Sequence, residues 1–256
     1  MDTQAQHSER DRSPEPDTGT GERSRFSRTR ARVAAALSWR RVLAGAVLAT
    51  TGLLLVSSFV VQPFLIPSGS MEPTLKVGDR LLVNKLAYRF GAEPERGDVV
   101  VFDGTGSFVR EDLDANPLAG LARGAAASLG LAEPADTDFV KRVVGVGGDR
   151  VVCCDARGRL AVNGTVVDEP YLYPGDTASQ MPFDIVVPSG TLWMMGDHRS
   201  RSSDSRDRLG SPGGGMVPVD RVTGRVDWLG WPPARAGSLA GTGAFSGVPG
   251  PGAAHG

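Results

Sequence analysis

Twenty consecutive residues, Val42 to Val61, carry no charge, and no other feature restricts so strongly what the chain can fold into. As a helix rising 1.5 Å per residue the run is about 30 Å long, the thickness of a bilayer's hydrocarbon core. Just before it, Arg23 to Arg41 contains seven arginines and no acid, whereas the first basic residue behind it is Lys76. Basic flanks stay on the cytoplasmic side, so the N-terminus is expected there and the chain from about residue 63 onward outside. A cleavable leader usually has an apolar stretch of only ~7 to 15 residues, so residues 42–61 are expected to remain as a membrane anchor. Gln62-Pro63 should end its helix, because proline disfavours helical backbone at the residue before it. Residues 1–41 then form a cytoplasmic tail, and the first 22, polar and without an apolar period, should be disordered.

The rest of the chain suffices for one ordinary domain plus appendages. A net charge of -1 argues against nucleic acid as a partner. The basic residues are unevenly chosen: only Lys76, Lys85 and Lys141 are lysines among 28 Lys+Arg. Arginine can replace lysine as a solvated charge, but it cannot release its proton and so cannot act as a general base. Each lysine therefore draws attention. Of the three histidines, His7, His198 and His255, only His198 lies where a serine-histidine-aspartate arrangement could use it.

Just past the apolar run, Pro67 to Leu75 reads Pro-Ser-Gly-Ser-Met-Glu-Pro-Thr-Leu. A glycine before Ser70 and a proline three residues after it favour a turn from which the hydroxyl projects, with Ser68 adding a second hydroxyl. An extended chain covers at most about 3.3 to 3.6 Å per residue, so Ser70 should work within about 30 Å of the outer membrane surface. This stretch resembles the nucleophile segment of the type I signal peptidases.

Beyond it, Val77 to Lys85 and Arg96 to Phe102 repeat one pattern, a Gly-Asp turn and then a β-branched or apolar run, which reads as a strand. Residues 103–138 break that pattern and read as an insertion with one weak helix, too short and interrupted for a second span. In the strand segment that follows, Asp138 to Asp149, alternate residues share a face, so Lys141 lies with Phe139 and Val143, and Arg142 with Val140 and Val144. An amine on an apolar face has a lowered pKa and can serve as a base. The segment Phe-Val-Lys-Arg-Val-Val-Gly-Val-Gly-Gly-Asp resembles the lysine segment of the same family, and the resemblance makes Lys141 the general base.

Asn163-Gly164 between two apolar runs predicts a type I′ hairpin. Cys153 and Cys154 are adjacent, and neighbours in a strand point to opposite faces, so free thiols are expected. The run Leu192 to Asp207 is a short apolar strand entering a dense polar loop, and it resembles the family's Gly-Asp-Asn-Arg-Asp-Asn-Ser-x-Asp-Ser-Arg segment. By resemblance Ser202 should hydrogen-bond the Lys141 amine, and Asp204 should pair with Arg206 to hold the loop. His198, Ser200 and Arg201 depart from the pattern. Trp231-Pro-Pro resembles the end of the family's domain, and residues 234–256, rich in Gly, Ala, Pro and Ser, are expected to be a flexible tail.

The fold class expected is mainly β: an antiparallel-sheet catalytic domain over residues 62–233 behind one N-terminal transmembrane helix. What the resemblance implies is a serine endopeptidase that removes signal peptides from exported preproteins, with Ser70 as nucleophile. Ser68 would support the oxyanion, and Phe64, Ile66, Met71, Leu75, Phe139 and Val140 would line a pocket for small side chains, favouring Ala-x-Ala before the scissile bond. The partners expected are signal peptides and membrane lipid, with no nucleic acid, no cofactor and no metal, in a monomer. Two other readings stand: a Ser-His enzyme using His198, as in the signal peptidases of the endoplasmic reticulum, and a membrane-anchored β-domain without catalysis.

Overall fold

The structure, a computed structural model, describes residues 39–56, 59–109, 137–211, 213–239 and 241–252. The expectations for the tail before residue 39 and for the body of the 103–138 insertion lie outside the described residues.

The uncharged run gives helix α1 (Trp39–Val56), long and apolar enough to cross a membrane. It starts before the charge-free stretch, taking in Arg40 and Arg41, and Val47 and Leu48 on it are exposed. Val61, assigned from sequence to the same helix, instead opens strand β1 (Val61–Leu65), and Pro63 lies inside that strand rather than at a helix end. Here β1 forms an edge of its sheet, pairing only with β2 (Arg80–Asn84), a place where a residue without an N–H is tolerated.

The repeated Gly-Asp pattern has one structural meaning. Gly78 and Gly97 take φ of 87° and 94°, a region that residues with a Cβ avoid. The aspartates after them close their turns: Asp79 accepts the Lys76 N–H at 2.8 Å and Asp98 that of Glu95 at 3.0 Å. Strands β2 and β3 (Val99–Asp103) then follow. With β4 (Asp138–Val146), β9 (Thr191–Met195), β10 (Val217–Pro218) and β11 (Val222–Trp231) they form a sheet in the order β1-β2-β11-β3-β4-β9-β10, and β12 (Gly237–Ser238) adds to β11. A second sheet runs β7-β6-β5-β8, from β5 (Arg150–Cys153), β6 (Leu160–Val162), β7 (Thr165–Val166) and β8 (Phe183–Val186). Every strand pairing among the described elements is antiparallel, as the sequence leads one to expect. Asn163 and Gly164 join β6 to β7 with φ of 52° and 81°, both positive as a type I′ turn requires.

Strand alternation divides the core. On β3, Val99 and Val101 join Phe64, Ile66, Met71, Leu75, Leu81, Val140 and Val226 in one cluster. Val100 and Phe102 join Val143, Met194 and Val217 in another. A third cluster covers the second sheet, around Trp193, Val151 and Leu160.

Two expectations fail. Cys153 and Cys154 are joined to each other rather than free. Adjacent side chains diverge only where both residues lie in a strand, but β5 ends at Cys153 and leaves Cys154 outside the ladder. Residues 234–252 are also more than a tail. Leu239 donates its N–H to Asp227, Phe245 is buried in the third cluster, and the Pro249 carbonyl accepts from Arg96 and Asn163. A Gly/Pro composition lowers helix and strand propensity, yet one aromatic ring and a few carbonyls are enough to fasten the segment.

Candidate active site

Ser70 sits in a closed turn. The Glu72 N–H donates to the Gly69 carbonyl at 3.1 Å and the Leu75 N–H to that of Met71 at 2.9 Å. The loop carrying this turn is shut at its base by Ile66 N–H to the Asp79 carbonyl and Gly78 N–H to the Ile66 carbonyl, both 2.9 Å. Ser68 Oγ lies 3.3 Å from Ser70 Oγ. From β4, Lys141 Nζ reaches Ser70 Oγ at 2.7 Å, across 71 positions of sequence. Lys141 is 4% exposed. Burial drives its pKa down, Asp204 and Asp197 oppose that, and Arg206 adds to it, leaving the amine lowered from 10.5 to about 8. A group with that pKa is substantially neutral in mildly alkaline water, and the neutral amine can accept the hydroxyl proton at hydrogen-bond distance.

The polar loop after β9 surrounds the pair. Asp204 is wholly buried and binds Arg206 through two bonds of 2.8 Å, Nε to Oδ1 and Nη2 to Oδ2. It also accepts the Gly196 N–H at 3.0 Å. Burial works against the Asp204 carboxylate, but the Arg206 guanidinium outweighs that and holds its pKa below the usual range. Arg206 in turn donates to the Arg199 carbonyl, so the ion pair ties both ends of the loop. Gly196 has no room for a side chain, since a Cβ there would collide with Ser202 and with the Ser70 carbonyl. Ser202 is therefore beside the dyad and buried, but among the described residues its Oγ makes no hydrogen bond to Lys141, so the expected bond is absent from this geometry.

His198 is placed differently from a catalytic base. Its backbone N–H donates to the Ser70 carbonyl at 3.1 Å, while its ring stacks on Tyr173 with centroids 3.8 Å apart. Its Nδ1 lies 3.6 Å from Glu72 Oε2 and makes no hydrogen bond. Of the six expected pocket residues, Phe64, Ile66, Met71, Leu75 and Val140 fall in one buried cluster. Phe139 does not. It stacks with Phe102 and meets Phe108 in the other cluster, because neighbours on a strand face opposite ways.

Sequence reasoning passed over a second ion pair. Arg142, next to Lys141 but on the opposite face, donates Nε to Asp197 Oδ1 at 2.8 Å and Nη2 to Oδ2 at 2.6 Å, and its guanidinium lies 4.0 Å from the Tyr171 ring centre. Asp197 accepts the Thr74 hydroxyl at 2.5 Å, so the lysine strand, the polar loop and the nucleophile turn meet at one buried carboxylate. Arg142 and Asp197 stand inside the lysine and loop segments, each beside a residue already singled out, but nothing local pairs two charges 55 positions apart.

A buried amine of lowered pKa against a serine hydroxyl, on an antiparallel β scaffold, defines the class of Ser-Lys hydrolases. Comparison with known proteins narrows it. Residues 37–231 match the model of the family described as signal peptidase, peptidase S26. A probable signal peptidase I of Mycobacterium leprae is 38% identical over 71% of this chain and 72% of its own. Signal peptidase I of Mycobacterium tuberculosis is 39% identical over 75% of this chain and 72% of its own, and that of Pseudomonas aeruginosa is 31% identical over 73% and 71%. The chain belongs to the signal peptidase, peptidase S26, family.

Proposed function

We propose that this chain is a membrane-anchored serine endopeptidase that removes N-terminal signal peptides from exported preproteins, with Ser70 as nucleophile and Lys141 as base. The observation that carries the residue assignment is the 2.7 Å contact between Lys141 Nζ and Ser70 Oγ, made by an amine whose pKa is lowered to about 8. Neutral Lys141 takes the Ser70 proton as Oγ attacks the scissile carbonyl carbon. The C–O bond forms and the carbonyl π electrons move to oxygen. The Ser70 N–H and the Ser68 hydroxyl hold that oxyanion, and loss of one such donor typically costs about 10² to 10³ in turnover. On collapse the C–N bond breaks, and the Lys141 ammonium returns its proton to the departing amine. Water, deprotonated by the same lysine, then hydrolyses the ester and frees Ser70.

Asp204, Arg206 and Ser202 keep the loop packed against the amine, and Phe64, Ile66, Met71, Leu75 and Val140 shape an apolar floor for small residues before the scissile bond. Phe139 packs away from that floor in the other cluster, so it enters the proposal only as support for β4. In the membrane, α1 anchors the chain with its arginine-rich flank cytoplasmic, residues 62–233 act on the outer side, and the enzyme works as a monomer. The direct test is cleavage of a preprotein by detergent-solubilised full-length chain. Wild type should release mature protein, and Ser70→Ala should release none; equal cleavage by both would remove Ser70 from the mechanism.

A further inference from the structure

The resemblance ends near Pro233, yet the next turn reaches back to the nucleophile. Arg235, whose N–H donates to the Pro232 carbonyl at 2.9 Å, is set between β11 and β12 at a defined place on the sheet. Its Nη1 donates to both carboxylate oxygens of Asp79, at 2.8 and 2.6 Å, and its Nη2 to the Thr74 carbonyl at 3.0 Å. Asp79 is 3% exposed at its side chain and is the closing residue of the loop that carries Ser70: its carboxylate takes the Lys76 N–H and its carbonyl the Ile66 N–H. Thr74 is gripped from the other side as well, by Asp197 through its hydroxyl. The turn is thus held at its far end between two ion pairs, Arg142 with Asp197 and Arg235 with Asp79.

We propose that Arg235 is a positioning residue for the reaction: it holds the Thr74–Asp79 end of the loop so that Ser70 stays at hydrogen-bond distance from Lys141. The role rests on the Ser70–Lys141 reading. It follows from two features of the contact. A guanidinium presents its donors in a rigid planar fork, which can bind a carboxylate and a backbone carbonyl together, and the turn it binds has no other cation at Asp79 among the described residues. Because the hydrogen bonds of the Arg235 side chain among the described residues go to Asp79 and the Thr74 carbonyl and not to Ser70 or Lys141, its loss should loosen the reacting geometry more than it weakens substrate binding.

The experiment measures kcat, KM, the pH profile and the melting temperature of full-length wild type, Arg235→Met and Arg235→Lys on one preprotein. Displacement of reacting groups by about 1 Å can cost on the order of 10²-fold, so kcat of Arg235→Met should fall roughly 10-fold to 100-fold at a temperature well below its melting point. KM should stay within about twofold of wild type, the pattern of a lost contribution to the reacting geometry rather than to binding. The basic limb should keep its midpoint, since the lysine's surroundings are intact. Arg235→Lys keeps a cation at Asp79 but replaces two nitrogens of a rigid fork by one on a shorter stem, which holds the carboxylate and the Thr74 carbonyl together less well, so its kcat should fall between those of wild type and Arg235→Met. Should Arg235→Met fail to fold, Arg235→Lys decides alone by the same reduced kcat. A variant that melts lower but turns over like wild type, or one that raises KM at unchanged kcat, overturns the positioning role. Wild type that does not cleave the preprotein overturns the proposed function and this role with it.

Discussion

At the scale of single residues, the proposed mechanism needs Lys141 both buried and reactive, and the two demands share one cause. Burial against apolar neighbours disfavours the ammonium, which destabilises the folded protein wherever the unfolded chain would carry a proton there. With the folded pKa at about 8 against 10.5, the folded state binds fewer protons between those values, so stability contributed by this group rises with pH across that window. The full difference is on the order of 3 kcal/mol. Lys141→Met, which keeps the bulk and loses the amine, should therefore melt higher than wild type at neutral pH, and the advantage should shrink as pH climbs past about 8. Thermal melts of both proteins along a pH series check this; a constant difference would mean that the amine is not desolvated. Ser70 and Lys141 were legible in the sequence through the family resemblance of their segments, with turn chemistry and strand alternation only compatible with it. The Arg142–Asp197 pair was not, since nothing local indicates that two charges 55 positions apart will share a buried site. Phe139 was named by the same resemblance, and strand alternation packs it against Phe102 and Phe108, in a different cluster from Val140.

At the scale of elements, the Gly-Asp turns before β2 and β3 and the Asn-Gly hairpin between β6 and β7 make those strands readable from the residues alone, because φ above zero admits few residue types. Pairing is less readable, since β11 serves both β2 and β3 and shifts register on the way. The segment after residue 233 is misjudged by composition, which reports what a stretch cannot form and says nothing of where one ring such as Phe245 will insert. The loop after β9 is the element on which the site depends most, for its short turns have little regular backbone bonding of their own. Asp204 supplies the organisation, binding Arg206, the Gly196 N–H and the Arg206 N–H. Asp204→Ala leaves a buried guanidinium without its carboxylate, a change that costs about 3 to 5 kcal/mol when a buried pair is broken. Activity and melting temperature should fall together in the purified variant. Turnover at the wild-type level would show that the loop holds the amine by other means.

At the scale of the whole molecule, the account joins an apolar helix and a β-domain in one chain, with the substrate arriving across the membrane. On the proposed topology the arginine-rich flank keeps the tail inside, so protease added to intact spheroplasts should digest the β-domain and spare residues 1–41, and the opposite protection would reverse that topology. The central claim is narrower: a lysine, not the nearby histidine, takes the serine's proton. Arg142 with Asp197 and Asp204 with Arg206 form buried ion pairs in the segments that carry that contact, and the hydrogen bond from His198 to Ser70 runs from its backbone N–H to the Ser70 carbonyl. The measurement that tests it most directly is cleavage of one preprotein by the full-length chain in detergent from about pH 6 to about pH 10, comparing wild type, Lys141→Arg and His198→Asn of equal fold by circular dichroism. Wild-type turnover should rise through a basic limb near pH 8, set by the lowered pKa of Lys141, with Lys141→Arg inactive throughout and His198→Asn retaining most of the activity and the same limb. An active arginine variant, a dead asparagine variant, or a limb near the ~6.5 of an ordinary histidine would contradict the dyad.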